Sequence, residues 1–344
     1  MTVKTTPVAS TTLLSARHLR AAYAGERDEV AYCAVDDVDL TIARGEVVGI
    51  AGESGCGKST LAAVLSLTAR PPLYVLSGEL TVAGRRISLA PGYNPPRSWR
   101  GAAVSLLPQG AMNALSPSVR VGNFAVDILR SHEHGIRRTE ALDRAADRLE
   151  QLHLPRRVLR AYPHQLSGGM KQRVITVLST LLDPELLIAD EPTSALDVSS
   201  QQVMLDMLLE MLHRELVRGI IFVTHDLPVL RTIADRIAIM YAGQIVEVGS
   251  TDDIINRPRH PYTGALLASV LVPEPRIWTR RILGIRGAPP DLEKLPAGCR
   301  FHPRCSLATK VCATTAPPVV GDHWRYSRCW WTQAHPDESL QSKL

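Results

Sequence analysis

Apolar residues fall into short runs and periodic stripes along this chain. Val47-Val48-Gly49-Ile50-Ala51 is a run of strand length that ends in glycines, which predicts a short strand buried on both faces. Leu186 to Ala189 and Ile220 to Thr224 predict two more. Ala34 to Ile42 alternates in parts and is followed by the punctuation of Gly45 and Glu46, so residues 13 to about 90 read as strand-rich. Ile237 to Tyr241 and Gln244 to Val248 flank Ala242-Gly243 as a hairpin would. Helical spacing begins at Ser59 to Leu67 and recurs from about residue 101 to 182. There, Arg137 to Leu152 sets charges on one face and Ala and Leu on the other, an ordinary amphipathic helix. Strands alternating with helices predict an α/β fold with a largely parallel sheet. After about residue 265 prolines become frequent and cysteines cluster, so a domain boundary is expected there. No internal repeat is evident.

Composition bounds this picture without redirecting it. The 344 residues suffice for one large core plus a small annex, or for two modest domains. Apolar residues make up 45% and charged residues 21%, as in ordinary globular proteins. No run of about 18 apolar residues occurs, so no membrane-spanning helix is expected. Met1 to Thr12 is polar, rich in Thr and Ser, and lacks the apolar stretch of a signal peptide, which reads as a disordered cytoplasmic leader. The net charge of +5 is not concentrated in one tract. It reads as a solvated surface, with a basic face toward anionic lipid or a phosphate ligand as the alternative. Aromatic and basic residues do not interleave, which argues against nucleic-acid binding.

The chemistry starts at Gly52-Glu53-Ser54-Gly55-Cys56-Gly57-Lys58-Ser59-Thr60, a full G-x-x-x-x-G-K-[ST] match between a predicted strand and a predicted helix. Glycines let the backbone curl so that successive N–H groups point at phosphate oxygens, and the helix N-terminus adds positive potential. Lys58 would bring a charge to the β- and γ-phosphates, and Ser59 a hydroxyl to Mg²⁺. Cys56 reads as a small filler. Leu186-Leu187-Ile188-Ala189-Asp190-Glu191 is an apolar strand ending in two carboxylates. Asp190 could hold Mg²⁺, and Glu191 could polarise the attacking water as general base.

Leu166-Ser167-Gly168-Gly169-Met170-Lys171-Gln172-Arg173 resembles the signature sequence of ABC-transporter ATPases, at the usual spacing before the Asp190-Glu191 strand. The resemblance implies a P-loop NTPase of the ABC ATPase type: a RecA-like core, an antiparallel β subdomain and a helical subdomain at about 101–182. It spans residues 13–265 and leaves 266–344 as a small cysteine-containing extension. It also implies that Ser167, Gly168 and Gly169 cradle the ATP bound by a second subunit, two chains closing head to tail. Gln109 matches the glutamine loop that senses the γ-phosphate and Mg²⁺. Ser194-Ala195-Leu196-Asp197 matches the loop crossing the dimer interface, and His225 matches the switch histidine. Tyr23 sits where the family stacks an aromatic ring on adenine, with Tyr32 as a rival. His260-Pro261-Tyr262-Thr263 and the cysteines after it look like the C-terminal extension of oligopeptide and dipeptide importer ATPases. Pro108-Gln109-Gly110-Ala111-Met112-Asn113 departs from the usual peptide-group sequence and looks closer to members associated with oligosaccharides.

Of six cysteines, four follow the pattern Cys299-x5-Cys305-x6-Cys312-x16-Cys329. The spacing is neither a paired zinc arrangement nor the common ferredoxin one. In a reducing compartment such a group favours a metal or cluster over disulfides. The resemblance implies a [4Fe–4S] cluster, with structural Zn²⁺, or free or disulfide-linked cysteines, as alternatives. A structural role is expected, and a redox or iron sensor is the rival. His302 and His323 read as surface or hydrogen-bonding residues. The implied partners are two integral membrane permease subunits, a sister ATPase in a heterodimer and an extracellular solute-binding protein. The implied place is the cytoplasmic face of the cell membrane. An ABC ATPase that never meets a membrane is the other alternative.

Overall fold

The computed structural model describes residues 12–25, 30–92, 95–111, 114–269, 284–336 and 338–340. The expected leader, apart from Thr12, and the Met112-Asn113 pair lie outside the described residues.

Two long strands, β1 (Thr12–Ala24) and β2 (Val30–Ala43), pair antiparallel. β3 (Val47–Ala51) carries the chain into α1 (Lys58–Leu65). β4 (Leu73–Val82) and β5 (Arg85–Leu89) then complete a four-stranded antiparallel sheet, ordered β2-β1-β4-β5. β6 (Val104–Leu107) precedes three helices, α2 (Val121–His132), α3 (Arg138–Gln151) and α4 (Gly168–Ser179). β7 (Leu186–Asp190), α5 (Val198–His213), β8 (Ile220–Val223), α6 (Leu227–Ile233) and β9 (Arg236–Tyr241) alternate after them. Strand β9 turns into β10 (Gln244–Ser250) through Ala242 and Gly243, both at positive φ (48° and 83°), as a tight hairpin turn requires. Helices α7 (Thr251–Asn256) and α8 (Pro261–Ala268) follow. The C-terminal segment adds α9 (Lys310–Thr314), β11 (Val319–Gly321), β12 (Tyr326–Arg328) and α10 (Trp330–Ala334).

The second sheet has eight strands in the order β11-β12-β10-β9-β3-β8-β7-β6. Its five strands from β6 to β9 pair in parallel, so their carboxyl ends lie along one edge. Both faces are covered. Val47 and Ala51 of β3 join the core shared with α2 to α5, while Val48 and Ile50 join the core shared with α1 and the antiparallel sheet. This double burial explains why β3, β7 and β8 read as continuous apolar runs in sequence. The expected strands, the hairpin and the amphipathic helix all form, with most ends within two residues, while β2 begins four residues before Ala34.

The C-terminal strands were not foreseen. β12 pairs with β10 through Ser327 opposite Glu247 and Tyr326 opposite Val248, so the extension continues the main sheet. Three-residue strands carry too short a pattern to be read from sequence. Glu247 is buried there, and its carboxylate accepts the N–H groups of Arg259 (2.7 Å) and His260 (3.0 Å). His260 caps α8, its Nδ1 accepting the N–H of Tyr262 at 3.0 Å, and burial pushes its pKa down to about 3.

Burial pushes the Glu247 carboxyl up to about 7, against hydrogen bonds that favour the anion. The fold therefore binds a proton that the unfolded chain releases between its ordinary value of 4.5 and about 7, and stability falls as pH rises through that window. Relative to Glu247→Gln, the wild type should lose about 1.4 kcal/mol per pH unit there, while the opposite titration of His260 cancels in the difference. Urea unfolding of both proteins between pH 5 and 8 measures this, and a constant difference would assign the buried carboxyl an ordinary pKa.

Candidate active site

Each predicted nucleotide-site residue on the core lies at or just beyond the carboxyl end of a parallel strand. After β3 the chain curls through Gly52 to Gly57 and enters α1 at Lys58. Gly57, at φ 107°, occupies the N-cap, and a Cβ there would lie 2.2 Å from the carbonyl oxygen of Ala34. A Cβ on Gly52 would lie 2.1 Å from the Met240 carbonyl. No side chain caps α1 and no acidic residue occupies its first turn, so the helix start keeps its positive potential for an anion. Ser54, Gly55 and Ser59 are exposed, while Cys56, Lys58 and Thr60 are buried. The Lys58 ammonium donates to the carbonyls of Gly52 (2.8 Å) and Glu53 (2.9 Å), folded back on its own loop. Burial pushes the Cys56 thiol up.

Asp190 ends β7, where burial raises its carboxyl against a hydrogen bond from Ser59. Its Oδ1 is buried with no hydrogen-bond partner. A buried, unpartnered carboxylate oxygen beside a hydroxyl suits a hard cation, so Asp190 and Ser59 fit Mg²⁺ arriving with a nucleotide. Glu191, the next residue, holds a left-handed backbone (φ 48°), pinned by its N–H to the Val223 carbonyl at 2.9 Å. Its Oε2 accepts from the Gln109 side-chain amide, and its Oε1 pairs with His225 Nδ1, each at 3.1 Å. Gln109 follows β6 and His225 follows β8, so three strand ends meet at one carboxylate.

The remaining expected residues lie apart from this cluster. Tyr23 and its rival Tyr32 face each other in the β1–β2 register and stack on one another, ring centres 5.2 Å apart. The Tyr23 hydroxyl reaches Thr60 Oγ1 at 3.2 Å, which ties that stack to α1. Ser167 is exposed at the start of α4, where its hydroxyl accepts the N–H of Met170 at 3.3 Å, and Gly168 and Gly169 open the helix. Asp197 caps α5 and accepts from Ser200 N–H at 2.9 Å, and the hydrogen bonds from Ser199 and Ser200 hold its carboxyl well below the usual range. A Cβ on Gly169 would stand 3.3 Å from Ser200 Oγ, so the starts of α4 and α5 are neighbours.

Residues 35–194 match the family model described as "ABC transporter", and residues 246–312 match "Oligopeptide/dipeptide transporter, C-terminal region". The oligopeptide transport ATP-binding protein OppD of Salmonella typhimurium is 39% identical over 91% of this chain and 91% of its own length. OppD of Bacillus subtilis is 38% identical over 90% of this chain and 88% of its own. The chain belongs to the ATP-binding subunits of oligopeptide and dipeptide ABC transporters. A further relative is the dipeptide transport ATP-binding protein DppD of Caldanaerobacter subterraneus, 39% identical over 83% of this chain and 87% of its own. The dimeric ATP-binding cassette MJ0796 with ADP and phosphate shares the fold at a TM-score of 0.57 and 24% identity, covering 69% of this chain and 98% of that one. This ABC subunit has the expected RecA-like core with its antiparallel and helical subdomains, and it binds and hydrolyses ATP.

The cysteine reading needs correction. Neither a [4Fe–4S] cluster nor Zn²⁺ suits Cys299, Cys305, Cys312 and Cys329, because no three His, Cys, Asp or Glu among the described residues are grouped to hold a metal ion. The four instead line one cavity of about 510 Å³ with Phe301 and Trp331. All are free thiols. Burial pushes Cys299 up to about 11 and Cys305 up to about 12, so these two are neutral. They act as small apolar wall residues. His302 hydrogen-bonds the Cys299 carbonyl at 2.9 Å.

Sequence reasoning missed a second layer behind the loop. Tyr262 and Arg304, both outside the loop motif, contact Glu53. The sole sequence signal was their place in the family extension, beside His260 and Cys305.

The two loop glycines separate conformation from space. Gly55→Ala keeps only the left-handed penalty, about 1 kcal/mol, since nothing lies within 4 Å of its Cβ. Gly57→Ala adds a backbone collision and should cost about 3 kcal/mol or more, with loss of ATP binding. Thermal melts and calorimetric ATP titration of both variants check the difference.

Proposed function

We propose that this ATPase powers import of short peptides through a membrane transporter. The match of residues 246–312 to the oligopeptide/dipeptide C-terminal region carries this reading, and the names of the peptide-transport relatives support peptides over oligosaccharides. Residues 13–265 would form the motor and 266–344 the extension. Among the described residues no helix is long and apolar enough to cross a membrane. By likeness to the peptide-transport relatives, the chain would work on two permease subunits at the cytoplasmic face, beside a sister ATPase in a heterodimer, with an extracellular solute-binding protein delivering the peptide.

In this mechanism the loop from Gly52 to Thr60 holds the triphosphate, and Lys58 leaves the Gly52 and Glu53 carbonyls to meet its β- and γ-oxygens. Ser59 and Asp190 would hold Mg²⁺, with Gln109 beside them. The ion, once bound, neutralises charge developing on the phosphates. The Tyr23–Tyr32 pair offers a face for adenine. Ser167, Gly168 and Gly169 face the ATP of the partner chain, and Asp197 and its loop meet the partner across the interface. Glu191 polarises water as base. The hydrogen bonds from Gln109 and His225 orient its carboxylate, and both residues can turn to the γ-phosphate when it arrives. Closure would pass to the permease through the surface near Gln109.

Glu191→Gln should lower ATP turnover at least about 100-fold while ATP binding persists, leaving a closed, ATP-filled dimer. Phosphate release and light scattering measure this, and unchanged turnover would refute the assignment of the base. Cells carrying this variant should also lose uptake of a labelled short peptide. Undiminished uptake would remove the import reading while leaving the ATPase intact.

A further inference from the structure

Glu53 is the second residue of the phosphate loop, and the C-terminal part of the chain holds it at three points. Its backbone N–H donates to the Tyr262 hydroxyl at 2.8 Å. Its two carboxylate oxygens accept from the two terminal nitrogens of Arg304, at 2.6 and 2.9 Å. The Arg304 side chain is only 6% exposed and that of Glu53 20%. The same guanidinium donates through Nε to the Arg286 carbonyl at 2.8 Å, which fixes its plane. Behind it, Tyr241, Tyr262 and Phe301 pack edge to face or tilted, with ring centres 4.5 to 5.3 Å apart. Two-pronged, shielded pairing of this kind is strong and directional, and lysine cannot reproduce it.

We propose that Arg304 is a positioning residue for nucleotide binding: it neutralises Glu53 and braces the phosphate loop from the C-terminal extension. The loop has to receive a polyanion, and a bare carboxylate on its second residue would repel it. Lys58 now rests on the Gly52 and Glu53 carbonyls and must let go of them to reach phosphate. At that moment the loop loses two internal hydrogen bonds, while the bond from Glu53 N–H to Tyr262 and those from Arg304 remain. The brace therefore matters most in the step where ATP enters, and its loss appears in binding rather than in turnover. The extension, whose strands also continue the main sheet, is in this way tied to the catalytic loop through one arginine located next to Cys305.

The test is steady-state ATPase kinetics on the full chain. Arg304→Met, which leaves Glu53 unpaired, should raise KM for ATP about tenfold with kcat within about twofold. Adding Glu53→Gln removes the exposed charge and should bring KM back to within about threefold of wild type. A purely structural strut would make the double variant as poor as the single one. Arg304→Lys keeps the charge and most of the volume, serves if Arg304→Met does not fold, and should give an intermediate KM. A thermal melt of each variant fixes the folded fraction. The proposal falls if folded Arg304→Met keeps KM within twofold of wild type, if its kcat drops while KM stays, or if the double variant shows no recovery. In each of those cases wild-type ATP hydrolysis stands.

Discussion

Strand β3 is paired in parallel on both sides, with Ile221 of β8 opposite Val48 on one side and Arg236 of β9 on the other. β7 and β6 continue the same sense outward. Parallel register is the constraint on everything that follows. It forces the loops after β3, β6, β7 and β8 onto one edge, although Lys58, Gln109, Glu191 and His225 are far apart in sequence. Antiparallel pairing at any of these junctions would send one of the four to the opposite edge. The apolar side chains that keep the sheet dry on both faces are thus as necessary to the chemistry as the polar groups at its rim.

What could be read in advance follows from the range of the interactions. Val47 to Ala51 and Leu186 to Asp190 are buried on both faces, so their runs are short, apolar and easy to see. The phosphate loop was legible because one conformation demands glycine where a Cβ would strike the Ala34 or Met240 carbonyl. The meeting of Gln109 and His225 at Glu191 was not written in local pattern. It depends on register between distant strands, and only the family resemblance pointed to the individual residues. The brace on Glu53 was hidden for the same reason, since 251 positions separate it from Arg304. The cysteines misled because spacing along the chain does not specify where side chains converge, and four thiols lining one cavity do not make a donor set.

Charge in the C-terminal segment is arranged to tie it down. Arg328 donates to the Asp37 carbonyl at 2.9 Å and to its carboxylate at 3.1 Å, and Arg300 pairs with Asp36, so two arginines of the extension grip β2. Arg236 pairs with Glu46 in the interior, its guanidinium 4.5 Å from the Trp324 ring centre. The Arg236–Glu46 and Arg300–Asp36 pairs are shielded on both sides and resist separation, because breaking one leaves an unmatched charge away from water.

The pairing of β12 with β10 has one more consequence. Cutting the chain back to residue 265 would strip β10 of its outer neighbour and leave the backbone groups facing Tyr326 and Ser327 open along a flat edge. Bare edges of that sort recruit strands from other molecules. The shortened motor would be prone to clump through its sheet before any defect in ATP handling could be observed.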